Sequence, residues 1–152
     1  MRLLLAAVGR ARPGPERALF QHYCGRLAEP LVLKEVEEKR PLPPAERMAR
    51  EGSLLMAAVP AEARLVVLDG RGKLLSSEAL AQALADRRDG GCRDLAFVVG
   101  GADGHGDAMR QRADLLLSLG PMTWPHTLVR ALLAEQLYRA ECILANHPYH
   151  RG

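Results

Sequence analysis

DLAFVVGGADGHGDAMRQRADLLLSLGPM, residues 94–122, contains two short apolar runs separated by a helix-forming segment. Leu95 to Val99 is unbroken by charge, as in a strand buried on both faces, and it runs into Gly100-Gly101. DAMRQRAD has the composition of a short helix, and LLLSLGPM is a second strand that stops at Gly120-Pro121. Strands joined through a helix lie parallel, so the stretch predicts an α/β fold with a mainly parallel sheet flanked by helices.

The same alternation extends toward the N-terminus. ARLVVLDGRG (63–72) is a strand expected to end at Asp69-Gly70, and SSEALAQALADRRDGG (76–91) is a helix with Ser76 or Ser77 as its cap and Glu78 in its first turn. RLLLAAV (2–8) reads as a buried strand. ARPGPERALFQHYCGRLA (11–28) supplies a Pro-Gly turn and a helix whose inward positions are expected at Ala18, Leu19, Tyr23 and Leu27. LVLKEVE (31–37) is a weaker strand. PPAERMAREGSLLMAAV (43–59) is a helix opened by prolines, pointing Met48, Leu55, Met56 and Val59 at the core, with strain expected near Gly52. A closing helix from about Pro125 carries an apolar stripe of Leu128, Val129, Leu132, Leu133, Leu137 and Ala140, wide enough for a sheet or a second subunit.

With 152 residues and 48% hydrophobic side chains, the chain suits one domain, 1–152. Gly9 and Arg10 end the N-terminal apolar run far short of a signal peptide or membrane span, which predicts a cytoplasmic protein with no membrane partner. Cys24, Cys92 and Cys142 are odd in number and scattered, as packing thiols are. Positive charge concentrates near the start, with Arg2, Arg10, Arg12, Arg17 and Arg26 against Glu16 alone, and returns at Arg130, Arg139 and Arg151. Such a distribution suits either a solvated face or a surface that meets phosphates.

Three predicted strands end alike, at Leu68-Asp69-Gly70, Val99-Gly100-Gly101 and Leu119-Gly120-Pro121. In a parallel sheet these turns share the carboxyl edge, where open α/β sheets bind ligands. Glycine there permits positive φ and close approach to the backbone. GGADGHG lacks the dinucleotide spacing because Met109 stands where a third glycine is needed, and no phosphate-loop motif is present. The spacing of Cys142, His147 and His150 matches no standard zinc motif, so no metal is expected.

AVG near the N-terminus, EGSLLMAAVP, LDGRGKLLSSEALA, FVVGGADG and MTWPHTLVRALLAEQLYRAECILANHPYHRG, in that order, resemble the RlmH family of the SPOUT superfamily. The resemblance implies a C-terminal deep trefoil knot, with knot and cofactor site in roughly residues 65–152, and a homodimer. It further implies S-adenosylmethionine as cofactor and methylation of N3 of a pseudouridine in helix 69 of 23S ribosomal RNA, in the assembled ribosome. The family's cofactor loops fall on Leu68 and Asp69, on Gly100 and Gly101, and on Gly120, Pro121, Met122, Thr123, Trp124 and Pro125. Ala102, Asp103 and His105 depart from the family, where proline, glutamate and a hydrophobic residue are common.

N3 of a uracil-type ring holds its proton at neutral pH, so transfer needs a proton acceptor or an environment that favours the anion. His126, Glu135, Tyr149 and His150 are the candidate bases, with Arg130 beside His126 at i, i+4. Arg130, Arg139, Arg151 and the basic residues of the first helix are expected on RNA phosphates, and Tyr149 or Trp124 on a base. Two rivals remain: a non-catalytic ribosome-binding protein, and a SPOUT methyltransferase acting on transfer RNA.

Overall fold

A computed structural model describes residues 1–151. Strands and helices alternate throughout, as β1 (Arg2–Val8), α1 (Pro15–Cys24), β2 (Leu31–Val36), α2 (Pro44–Ala58), β3 (Arg64–Leu74), α3 (Ser77–Asp89), β4 (Asp94–Val99), α4 (Asp107–Arg112), β5 (Leu115–Ser118) and α5 (His126–Leu144). The strands form one sheet in the order β2-β1-β4-β3-β5, and every neighbouring pair is parallel. This is the α/β class expected from the alternation.

Successive side chains of a strand point to opposite faces, and the central strands bury both. Leu3, Leu5, Ala7, Val66, Leu95, Phe97 and Val99 face one layer, made by Phe20 of α1, Leu80 and Leu84 of α3, and Leu133 and Leu137 of α5. Leu4, Ala6, Val8, Leu65, Val67, Ala96 and Val98 face the other, with Leu55 and Val59 from the α2 side and Met109 of α4. Ala131, Ala134 and Ala140 complete the inner side of α5, where small residues let a helix approach closely. Leu128, Val129 and Leu132 from the expected stripe are only half-buried.

Three local expectations are corrected. In α1 the inward register is Phe20, Tyr23 and Cys24, followed by Leu27 just past its end, while Ala18 and Leu19 are exposed. Phe20 carries the largest apolar area on that helix, so it fixes the face and turns Leu19 outward. β3 does not stop at Asp69-Gly70: both Leu68 and Lys73 pair with Leu117, so residues 69–72 loop out and the strand resumes to Leu74. Gly72 permits this, because a Cβ there would lie 2.6 Å from the backbone of Leu116. Finally, α2 passes through Gly52 unbroken, and an added Cβ there would meet nothing within 4 Å.

The Ser76 hydroxyl accepts the Ala79 N–H and caps α3 as expected. Pro43 and Pro44 open α2, and Pro125 precedes α5 with its carbonyl accepting from Leu128 and Val129. Cys24 and Cys92 are half-buried free thiols, and Cys142 is a buried one.

Candidate active site

At the carboxyl edge of the sheet the segments leaving β3, β4 and β5 surround a cleft of about 760 Å3, within the size range of small-molecule sites. Leu68, Asp69, Gly100, Gly101, Gly120, Pro121, Met122, Thr123, Trp124 and Pro125 all line it, so the three segments singled out in the sequence converge. Gly120 (φ 112°) and Gly104 (φ 77°) adopt the left-handed backbone that favours glycine. Gly100 and Gly101 do not, and space is what requires glycine there. A Cβ on Gly101 would stand 3.0 Å and 3.1 Å from the Glu51 carboxylate oxygens and 3.1 Å from Val8 Cγ1. One on Gly100 would stand 3.1 Å from the His105 ring.

Glu51 is the principal residue absent from the sequence-based candidates. It is buried behind Gly101, and its Oε1 has no hydrogen-bond partner among the described residues. Burial and the nearby Asp103 charge raise its pKa, against the Arg47 guanidinium. The signal was present, because Met48, Glu51, Leu55 and Val59 share one helix face and a charged residue on an inward face is anomalous. His105 is equally buried between the strand ends, and its Nε2 is also unpartnered. Burial lowers its pKa despite the nearby Asp69 carboxylate. Asp69 accepts the Arg71 N–H and lies 3.6 Å from the Arg110 guanidinium, which also donates to the His105 carbonyl and pairs with Asp107. Arg110 thereby ties the 69–72 excursion to the start of α4.

His126 sits at the rim of the cleft, in the first turn of α5. Burial, and then the positive charge of Arg130 one turn below, lower its pKa, so the ring is neutral at neutral pH and able to accept a proton. Arg130 itself is 1% exposed. It donates to the Glu35 carboxylate at 2.6 Å and to the carbonyls of Val8 and Gly9 at 3.0 Å and 2.8 Å. Burial pushes the Glu35 carboxyl up, but the bonds from Arg130 and the Ala11 N–H outweigh it and hold the group below the usual range. Arg130 therefore fastens α5 to the end of β1 and does not reach outward to phosphates as expected.

The remaining candidates assemble elsewhere. The Tyr149 hydroxyl donates to Glu135 at 2.9 Å, its ring meets Tyr138 edge-on with centroids 4.7 Å apart, and the Arg139 guanidinium lies 4.8 Å from its centroid. Arg139 is paired with Glu135 at 2.6 Å, and His150 lies 2.8 Å from Glu78. Arg151 is exposed. Burial, Tyr23 and Glu135 raise the Tyr149 pKa, which keeps the phenol protonated. None of these side chains lines the cleft of its own chain. Among the described residues no group of three or more His, Cys, Asp or Glu could hold a metal ion, and no helix is long and apolar enough to cross a membrane.

A wholly parallel sheet whose last strand ends frame a glycine-lined cleft, closed by a C-terminal helix, has the make-up of a SPOUT methyltransferase, and a family model described as "Predicted SPOUT methyltransferase" matches residues 1–150. Proteins named Ribosomal RNA large subunit methyltransferase H from Paramagnetospirillum magneticum, Rhodospirillum centenum and Rhodospirillum rubrum are 63%, 61% and 60% identical to the chain. The matches cover 99% of both chains in the first case and 100% of both in the other two. The chain belongs to the RlmH family of SPOUT methyltransferases.

Proposed function

We propose that this methyltransferase uses S-adenosylmethionine to methylate N3 of a pseudouridine in helix 69 of 23S ribosomal RNA, acting on the assembled ribosome as a cytoplasmic homodimer. Family membership and the names of the relatives support ribosomal RNA as substrate. The observation that carries the reading is the glycine-lined cleft with His126 at its rim. Its volume suits the cofactor, and Gly100, Gly101 and Gly120 offer backbone where side chains would obstruct. Leu68, the Gly100-Gly101 turn and the 120–125 loop would hold the cofactor. When bound, S-adenosylmethionine supplies an electrophilic methyl group on a sulfonium.

The chain's own groups do the rest. His126 takes the N3 proton, because its depressed pKa leaves it unprotonated where the uracil-type N3–H is still intact. Trp124, exposed at the cleft, offers a stacking face for the base. Tyr149, His150 and Arg151 lie outside the cleft of their own chain, so a contact with substrate requires the cleft of a second copy. Exposed Leu74 shares a groove with half-buried Leu132, beside α5, which suits an apolar interface between copies. The trefoil knot, with α5 threading a loop of the sheet, is proposed on family membership.

Methyltransferase membership sets aside the non-catalytic reading. Mass mapping of modified nucleosides in ribosomal and transfer RNA from a strain lacking the protein tests the substrate. Loss of a methylated pseudouridine from 23S RNA is expected, and loss confined to transfer RNA would overturn the assignment. The proton acceptor is tested by His126→Gln in tritium transfer to ribosomes. Transfer should fall about 100-fold or more, and the acid limb of the wild-type rate, midpoint below about 6.5, should disappear.

A further inference from the structure

A second concavity adjoins the cleft. It is an open crevice of about 320 Å3 between the 10–17 segment and the first turns of α5, with Phe20 and Arg130 at its base. Arg10, Arg12 and Arg17 line it with Glu16 as the one exposed acid. Arg10 stands 3.7 Å from Glu37, whereas Arg12 and Arg17 have no ion-pair partner among the described residues. Glu16 and Arg17 of the first turn of α1 line the same space, and this helix start has no side-chain cap. At the base the Nε of Arg130 is buried and unpartnered while the other two nitrogens are occupied. Glu35 binds both Arg130 and the Ala11 N–H, so the segment carrying Arg10 and Arg12 is held in place. Thr127 lines the crevice and His126, the preceding residue, lines the cleft, so the start of α5 borders both spaces.

Guanidinium groups, unpaired helix N–H groups and a fixed backbone are the elements that bind phosphate oxygens. We propose that this crevice seats a backbone phosphate of the substrate RNA next to the nucleotide presented at the cleft, with Arg12 and Arg17 as its principal ligands. The proposal rests on the ribosomal RNA reading and deepens it. It gives the basic N-terminal segment a specific task, which is to set the register of the strand relative to His126. The Arg130–Glu35 pair positions that segment from below.

The test compares the wild-type protein with R12A/R17A, two exposed substitutions, in three measurements: binding to 70S ribosomes over a salt series, methyl transfer to the same ribosomes, and calorimetry with S-adenosylmethionine. The double variant should bind ribosomes at least tenfold more weakly, and its log–log salt slope should flatten by about 0.7 for each lost phosphate contact. KM for ribosomes should rise while cofactor affinity stays at the wild-type value. Inorganic phosphate binding that is lost in R12A/R17A but does not compete with ribosomes would identify the seat as one for a free anion, and would overturn the RNA assignment. Wild-type binding and salt slope in the double variant would overturn the crevice. A wild-type protein that binds ribosomes through these arginines but transfers no methyl group would keep the crevice and remove the proposed reaction.

Discussion

Arg130→Met measures how firmly α5 is fastened to β1. Methionine fills a similar volume but returns none of the three hydrogen bonds to Glu35, Val8 and Gly9. Breaking a buried pair costs about 3–5 kcal/mol because the abandoned partner stays charged. The Glu35 side chain is 28% exposed and can recover water, which places the loss near the lower bound, about 3 kcal/mol. A chain of 152 residues has an unfolding entropy of about 0.3 kcal/mol/K, so the melting temperature should fall by about 9 °C. Scanning calorimetry of Arg130→Met, Glu35→Gln and the double variant at neutral pH is the assay. The double variant should cost at least about 1 kcal/mol less than the sum of the singles, since each single strands the other's partner. A melting point for Arg130→Met within about 2 °C of wild type would refute the reasoning.

Gly72→Ala should be severe, because its Cβ would strike the Leu116 and Leu117 backbone, whereas Gly70→Ala meets nothing and should be silent. Thermal melts should separate them by about 3 kcal/mol. Glu51→Gln should raise the melting temperature at neutral pH: the folded pKa is raised, so native Glu51 loses stability as pH climbs from about 4.3 through that value, and the variant's advantage should vanish only below about pH 4.3. Equal melting points at pH 7 would count against a strained carboxyl. Gly101→Val should weaken S-adenosylmethionine binding about tenfold, or about 1.4 kcal/mol, in calorimetry of the folded protein, since Val8 and Glu51 leave its side chain no room.

The parallel sheet was legible because its central strands are nearly continuous apolar runs ending in glycine, a pattern set by burial on both faces. The cleft was legible for the same reason, since three strand ends of one polarity share one edge. The strand excursion at 69–72 was not. Asp69-Gly70 has the composition of a turn, and only the distant pairing of Lys73 with Leu117 shows that the strand resumes. The burial of Arg130 was hidden similarly, because its partners Val8, Gly9 and Glu35 are far away in sequence and an isolated arginine near a basic tail reads as surface. Leu19 was placed inward on spacing alone, where the bulk of Phe20 decides the face.

The bond from Arg130 to Val8 spans 122 positions, and β1 must also wait for β4, from Leu95 onward, before its second edge is paired. During translation at roughly 5–20 residues per second, that separation amounts to about 6–24 s in which a nearly all-apolar first strand has been made but its fastening has not. The nascent chain thus carries a first strand with one edge still unpaired through much of its own synthesis. The yield of this protein should therefore respond to chaperone supply and expression temperature.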